Sequence, residues 1–180
     1  MRTLGFAHFD TAIGRCGIAW GERGVVGVQL PQSNGDATRP PRRDLAARQT
    51  TPPPEVQAAI DGIVALLRGE PVDLRGVALD MDGVPPLHRR VYEVARDIAP
   101  GATLSYGEIS ARLGDPGSAR AVGQALGRNP FPLIVPCHRV LAAGGKAGGF
   151  SAPGGVTTKL RLLEIEGAVL GPGGGEPQLF

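Results

Sequence analysis

The pair Cys137-His138 is the part of the sequence best suited to chemistry. It lies in the run Pro136-Cys137-His138-Arg139-Val140. A thiolate is a strong, soft nucleophile, and a neighbouring imidazole can take the thiol proton directly or through a water molecule. The pair therefore predicts nucleophilic chemistry at sulphur. A buried structural cysteine is the alternative, and for an isolated Cys-His dipeptide it is the commoner case.

Other uses of cysteine are excluded by the counts. The chain has two cysteines, Cys16 and Cys137, and three histidines. These are too few for a disulfide framework or for a four-ligand zinc site of familiar spacing. We therefore expect no metal and no cofactor. Cys16 lies in an alternating strand pattern and is interpreted as structural.

Four further segments make the context of Cys137 specific. They are Arg120-Ala121-Val122-Gly123, Asn129-Pro130, a glycine-rich stretch after Val140, and the run from Lys159 to Gly167. Together with Pro-Cys-His-Arg-Val, in this order, they resemble the O6-alkylguanine-DNA alkyltransferases, also called methylated-DNA-protein-cysteine methyltransferases. The resemblance covers residues 87–167 closely, and residues 4–85 only as a strand-rich N-terminal domain.

The resemblance implies a DNA repair protein. It would transfer the alkyl group of O6-alkylguanine, and of O4-alkylthymine, irreversibly to Cys137. A thioether is not easily reversed by water, so each molecule would act once. The expected partner is double-stranded DNA, bound with little sequence specificity and opened by base flipping, which costs a few kcal/mol. The expected state is a monomer, and cooperative binding on DNA stays open.

The resemblance also implies site residues. The catalytic set is Cys137 as acceptor, His138 as the base acting through water, Glu166 as its orienting carboxylate, Asn129 as the brace of the turn, and Tyr106 beside the flipped guanine. The DNA-binding set is Arg120, which would enter the base stack, with Ala121, Ala125 and Arg128. The pocket set is Val140, Phe150 and Ser151, and the carbonyls of Cys137 and Val140 would accept from the guanine amino group.

One segment departs from the family pattern. Many relatives have a tyrosine and then Ser-Gly-Gly, whereas this chain has phenylalanine and two further residues between Gly148 and Gly155. Ser151 still falls where a backbone N–H would meet guanine O6. Phe150 lines the pocket or serves only packing, and the sequence leaves both open.

A helix-turn-helix is predicted to position these residues. Ser105 and Glu108 form a capping-box pattern at the start of one helix, Asp115-Pro116-Gly117 is a tight turn, and Ser118 can cap the helix 119–128. The exposed face of that last helix is expected to hold Ala121 and Ala125, small enough for close approach to a DNA backbone. An ordinary helical hairpin is the alternative. A short buried strand, 133–135, is expected to present Cys137.

The remaining elements predict an α+β protein. Three strands, 4–9, 15–20 and 25–30, form a meander; a helix covers 55–68, a strand covers 72–82, and another helix follows Leu87. Residues 31–54 form a surface loop with six prolines. The predicted domains are an N-terminal β-rich domain, 1–85, a DNA-binding and acceptor domain, 86–169, and a flexible tail, 170–180.

Composition limits the other function classes. The 180 residues are 42% hydrophobic with a net charge of +2, and residues 86–169 hold most of the excess positive charge. Such asymmetry is compatible with a nucleic-acid surface. No apolar run approaches the length of a membrane helix, and the first ten residues do not resemble a signal peptide. We therefore expect no membrane partner and a cytoplasmic protein, associated with the nucleoid in a bacterium.

Two other functions compete with alkyl transfer. One is a non-catalytic lesion sensor like the alkyltransferase-like proteins, which lack the acceptor cysteine; the presence of Cys137 argues against it. The other is a cysteine hydrolase built on Cys137, His138 and Glu166. A hydrolase would leave the helix-turn-helix and Arg120 without a purpose.

Overall fold

The computed structural model describes residues 3–32 and 48–170. It has the predicted α+β composition, and its described residues divide into two compact units, one of residues up to 84 together with 130–134 and one of residues 85–129 together with those from 135 onwards. The first unit's main segment ends at Val84, one residue before the boundary that the sequence predicts after Pro85. Residues 130–134, which the sequence assigned to the second domain, belong to the first unit. The predicted tail lies outside the described residues except for Leu170.

A four-stranded sheet forms the first unit. Its strands are β1 (Gly5–Thr11), β2 (Gly14–Gly21), β3 (Gly24–Gln29) and β4 (Arg48–Gln49), in the order β3-β2-β1-β4. The first three are antiparallel neighbours, with Gly5 opposite Trp20 and Thr11 opposite Gly14, so the predicted meander is confirmed. β4 pairs parallel to β1 and lies in the segment predicted as loop. Residues 33–47 of that loop are outside the described part.

Helix α1 (Pro54–Leu66) supplies much of the remaining core of this unit. Val56, Ile60 and Ile63 are buried at helical spacing, as predicted. The strand predicted over 72–82 is wrong: this segment is turns and coil, with one isolated bridge from Leu79 to Val25. Its apolar residues alternate with Asp73, Arg75 and glycine, which favour turns over a ladder.

The segment before Cys137 is a turn in place of the predicted strand 133–135. Leu133 has φ 73°, a left-handed conformation that costs a bulky residue energy. The carbonyl of Pro130 accepts a hydrogen bond from the backbone N–H of Val28, at 2.9 Å. Phe131 and Leu133 are buried. An apolar run flanked by prolines predicts burial here, but it does not predict an extended backbone.

The second unit is mainly helical. Its elements are α2 (Pro86–Arg96), β5 (Leu104–Ser105), α3 (Tyr106–Arg112), α4 (Ala119–Gly127), β6 (Val140–Leu141) and α5 (Gly155–Ile165). β5 and β6 form a small parallel pair that the sequence did not predict. Within residues 3–32 and 48–170, no helix is both long and apolar enough to cross a bilayer.

The predicted helix-turn-helix is formed by α3 and α4. Ser105 accepts from the N–H of Glu108 at 3.0 Å, and the Glu108 carboxylate accepts from the N–H of Ser105, so the capping box is confirmed. Ser118 begins α4 without a side-chain cap. Its hydroxyl donates to the carbonyl of Asp115 at 2.8 Å.

Ser110 links the two helices. Its buried hydroxyl donates to the carbonyl of Asp115 and accepts from the N–H of Ser118 at 3.1 Å. Tyr92 of α2 donates to the carbonyl of Ala125 at 2.7 Å and ties α4 to the rest of the unit. These two buried contacts fix where α4 lies.

Replacing Ser110 by alanine tests this link. The change removes a buried hydroxyl that satisfies two backbone groups, so we expect a loss of about 1–3 kcal/mol in the free energy of unfolding. Denaturant titration would measure it. The exposed Ser151→Ala is the matched control and should be nearly neutral. Equal effects of the two changes would contradict the role given to Ser110.

Candidate active site

Cys137 is held by two consecutive turns. Pro136, with φ −80° and ψ 67°, is the centre of an inverse γ-turn in which the N–H of Cys137 donates to the carbonyl of Val135 at 2.8 Å. Residues Cys137–Arg139 then form a single 3-10 turn. Asn129 donates through Nδ2 to the same Val135 carbonyl at 2.9 Å and braces the turn. The cysteine is 8% exposed.

Glu166 is the point at which three N–H groups meet. Its Oε1 lies 2.8 Å from His138 Nε2 and 2.7 Å from Arg139 Nη2, and its Oε2 accepts from Arg139 Nε at 2.9 Å. The side chain is 3% exposed. Burial alone would raise its pKa, but the hydrogen bonds and charges of His138 and Arg139 outweigh it and hold the pKa at about 2. Glu166 is therefore ionised at neutral pH.

This carboxylate fixes the protonation of His138. Burial is the largest influence and lowers the pKa of His138, so the ring is neutral at pH 7. The ionised Glu166 accepts from Nε2, which places the single ring proton on that nitrogen. Nδ1 is buried and has no hydrogen-bond partner among the described protein groups. The lone pair on Nδ1 is thus available to accept a proton.

The Cys137 thiol needs such a base. Burial raises its pKa above the ordinary value; the hydrogen bond from Asn129, the positive charge of Lys159 and nearby backbone N–H groups act in the opposite direction without cancelling it. The resting sulphur therefore carries its proton at pH 7. Nucleophilic attack requires that the proton leaves before or during the reaction.

A cleft of about 640 Å³ opens on Cys137. It is lined by Tyr106, Ala119, Arg120, Gly123, Leu126, Gly127, Cys137, Gly149, Phe150 and Ser151. One side is thus the helix-turn-helix and the other is the glycine-rich loop. The combination places a nucleophile at a concave surface whose rim includes the exposed Arg120.

Tyr106, the first residue of α3, faces the loop wall. Burial, and after it the negative charge of Cys137, raises its pKa, so the phenol keeps its proton and can donate it. Gly148 packs against it with φ 69°; a Cβ there would lie 3.0 Å from the Tyr106 hydroxyl oxygen. Both the backbone angle and the space require glycine at this position.

The structure brings together most of the residues predicted for the site. Cys137, Tyr106, Arg120, Phe150 and Ser151 line one cleft. His138 and Glu166 are hydrogen-bonded to each other, and Asn129 braces the turn. Ala121 is half-buried and Arg128 is exposed at the end of α4.

Two of the predicted positions differ. Ala125 was expected on the exposed face of α4, but it is fully buried beside Val122 and Leu126, so that expectation is wrong. The exposed residues of this helix are Arg120, Gln124 and Gly127. Val140 is also fully buried, and its carbonyl accepts from Lys159 Nζ at 2.6 Å. The carbonyl of Cys137 accepts from the N–H of Val140.

The sequence interpretation missed two buried cations, Arg139 and Lys159. Arg139 is 5% exposed, pairs with Glu166 and donates through Nη1 to the carbonyl of Ile98 at 2.6 Å. The burial of Lys159 could have been predicted from the sequence. Residues 159, 162, 163 and 166 have the i, i+3, i+4, i+7 spacing of one helix face, and Leu162 and Leu163 on that face are buried. Among the described residues, no three His, Cys, Asp or Glu side chains cluster to hold a metal ion.

The chain is similar to known proteins over most of its length. Residues 86–168 match the family described as 6-O-methylguanine DNA methyltransferase, DNA binding domain. A protein from Methanothermobacter thermautotrophicus named methylated-DNA–protein-cysteine methyltransferase is 40% identical over 154 residues, which are 86% of this chain and 80% of the relative.

Solved structures give the same result. The O6-methylguanine methyltransferase of Mycobacterium tuberculosis is 35% identical with a TM-score of 0.74, over 91% of this chain and 92% of that one. A structure of the M. tuberculosis protein OGT in complex with DNA is 34% identical with a TM-score of 0.72, over 91% of this chain and 93% of that one. The fold of this chain is therefore that of the two-domain DNA alkyltransferases. The chain belongs to the methylated-DNA–protein-cysteine methyltransferase family.

The depressed pKa of Glu166 gives a pH-dependent stability. A carboxyl whose pKa is lower in the folded than in the unfolded state contributes stability that is present above about pH 4 and is lost as pH falls towards 2. We expect Glu166→Gln to lower the melting temperature at pH 7 by several degrees, with the difference from the unaltered protein shrinking at acid pH. Calorimetry across this range would measure it.

Glu164→Gln is the control for this prediction. Glu164 lies two residues earlier on α5 and is exposed. Its replacement should change the melting temperature little at any pH. A Glu166→Gln protein whose deficit stays constant down to the acid limit would contradict the assigned ionisation.

Proposed function

We propose that this protein removes the alkyl group from O6-alkylguanine, and from O4-alkylthymine, in double-stranded DNA by transferring it to Cys137. One observation carries the proposal. The only cysteine in the described cleft lies beside a neutral histidine with a free Nδ1, and the same cleft is bordered by a helix-turn-helix with an exposed arginine. Family membership supports the same activity.

The chemistry balances within the site. His138 Nδ1 takes the Cys137 thiol proton through a water molecule. The sulphur attacks the alkyl carbon, the S–C bond forms as the C–O6 bond breaks, and the electron pair remains on the guanine. The departing base takes its proton from the Tyr106 phenol. The tyrosinate then regains a proton, through solvent, from His138⁺, whose imidazolium Glu166 stabilises until that point.

Access to the lesion requires DNA distortion. Guanine O6 lies inside the duplex, so the nucleotide must leave the base stack before Cys137 can reach it. Arg120 is exposed on α4 at the rim of the cleft and is suited to fill the vacated space. Ala121 lies on the same helix and Arg128 directly follows its last residue, and the exposed Gly127 permits close approach to a phosphate backbone. These contacts imply little sequence discrimination.

The wall of the cleft would contact both the alkyl group and the flipped base. Phe150 offers an apolar surface to the alkyl group, and the backbone of Ser151 is suited to meet guanine O6. The carbonyls of Cys137 and Val140 each already accept one protein hydrogen bond, so an amino group of the base would use their second lone pairs. We propose a monomer, with cooperative binding on DNA open to measurement.

The first test is stoichiometry. A thioether is not hydrolysed under mild conditions, so incubation with excess O6-methylguanine duplex should add one methyl group to Cys137 and then stop. Intact-protein and peptide mass spectrometry would measure this. Cys137→Ala should stay unmodified, whereas Cys16→Ala should react normally because Cys16 is buried and its pKa is raised to about 11. Continued turnover, or methylation at Cys16, would contradict the proposal.

The second test separates base flipping from chemistry. Arg120→Ala should slow repair of duplex DNA by about 10-fold or more, since the cost of an extrahelical base is a few kcal/mol. Reaction with free O6-benzylguanine should be nearly unchanged, because no base must leave a stack. Arg68→Ala, an exposed arginine of the first unit, controls for loss of one positive charge. Equal losses on both substrates would place Arg120 in the chemistry or the fold.

A further inference from the structure

Lys159 is a buried cation that the proposed mechanism does not use. It lies on α5 with no exposed surface. Its ammonium donates to the carbonyl of Val140 at 2.6 Å and to that of Gly149 at 3.2 Å, and lies 5.8 Å from the centre of the Tyr106 ring. These partners are all neutral. A charge buried among neutral partners is costly, so it is retained where something else gains from it.

The choice of lysine is itself informative. The chain has 19 basic residues, of which only Lys146 and Lys159 are lysines. Lys146 is exposed. Arginine forms planar two-pronged contacts, whereas lysine is a compact point charge whose proton affinity responds to burial. Among the described basic residues, the one with no exposed surface is a lysine.

The other described groups that act on Cys137 do not neutralise the positive charge of Lys159. Arg139 is paired with the ionised Glu166, and His138 is neutral. Tyr92 of α2 and Tyr106 of α3 also act on the sulphur, but burial raises the pKa of both, that of Tyr92 to about 12, so neither is charged near neutrality. Among the described groups acting on Cys137, Lys159 therefore supplies the net positive charge.

We propose that Lys159 is a positioning residue for alkyl transfer: its buried ammonium stabilises the Cys137 thiolate during attack and anchors the backbone of Val140 and Gly149 at the pocket. This inference rests on the proposed function. The sulphur must become negative in a buried site, where a charge is destabilised by the loss of water. A cation in the same low-dielectric surroundings offsets that cost, since screening by water is weak there.

The interaction is reciprocal. Burial lowers the pKa of Lys159 to about 8, while the charge of Cys137 raises it; Lys159 in turn lowers the pKa of Cys137. Coupled groups must shift each other by the same free energy. A negative charge at position 137 therefore raises the pKa of Lys159, and a charged Lys159 makes the thiolate of Cys137 easier to form. A lysine that only tethered backbone carbonyls would show no such coupling.

The first experiment measures the thiol with a small reagent. The rate of iodoacetamide reaction at Cys137 is followed by peptide mass spectrometry between about pH 6 and 10, the range in which thiols titrate. In Lys159→Met the rate at pH 7 should fall about tenfold, which corresponds to about one pKa unit, and the difference from the unaltered protein should shrink above about pH 8, where Lys159 itself loses its proton. Lys159→Arg should restore the neutral-pH rate in part, and the exposed Lys146→Met should not change it. An unchanged rate at pH 7 in Lys159→Met would overturn the proposal.

The second experiment titrates the lysine directly. With two lysines in the chain, protein labelled with ¹³C at lysine Cε gives two NMR signals. The Lys159 signal should titrate near pH 8 in the unaltered protein and should move to higher pH in Cys137→Asp, which places a negative charge at the position of the sulphur, while the Lys146 signal stays unchanged. This readout needs no change at Lys159, so it remains decisive if Lys159→Met fails to fold. A Lys159 midpoint that is the same with and without a negative charge at position 137 would overturn the proposal.

Failure of the proposed function is recognised separately. If the unaltered protein takes no methyl group from lesion DNA, alkyl transfer is wrong, whatever the iodoacetamide and NMR results. If it does take one methyl group but Lys159→Met leaves the iodoacetamide rate at pH 7 unchanged and a charge at position 137 leaves the Lys159 signal unchanged, alkyl transfer stands and the role of Lys159 is wrong.

Discussion

The buried Glu166 carboxylate is the interaction on which the site depends. It joins the end of α5 to the turn that carries Cys137, through His138 and Arg139. A buried carboxylate is stable only with strong donors, and a buried arginine only with an acceptor. Each group therefore requires the other two. The triad orients the imidazole, neutralises Arg139 and locks the turn, so a structural constraint and a chemical one are met by the same contacts.

The fold was predictable where local signals decide it. The meander follows from glycine-bearing turns between β-branched runs, and the capping box of α3 follows from Ser105 and Glu108, which interact within one helical turn. The segments 72–82 and 133–135 were mispredicted as strands. Apolar residues in these segments show burial but not backbone geometry, and the left-handed Leu133 has no sequence signal. β4 and β6 are two-residue strands defined by distant partners.

The site was predictable in its reacting residues but not in its electrostatics. Cys137, His138 and Glu166 lie in motifs whose order indicates one chemistry. Ala125 was assigned to the wrong face of α4 although it lies three residues after Val122 and one before Leu126, the spacing of a single buried helix face. Arg139 and Lys159 were overlooked because charged residues are usually exposed. Their burial depends on contacts with Ile98, Val140 and Gly149, which no sequence spacing specifies.

The packing of Gly148 against Tyr106 has a consequence for protein engineering. A side chain at position 148 would need a left-handed backbone, and its Cβ would lie within 3.0 Å of the tyrosine hydroxyl oxygen. Gly149, in contrast, has open space around it and lines the cleft. Libraries that aim to alter which groups the cleft accepts should therefore diversify positions 149–151 and keep 148 fixed. The tolerance of this loop to mutation should change sharply between two adjacent glycines.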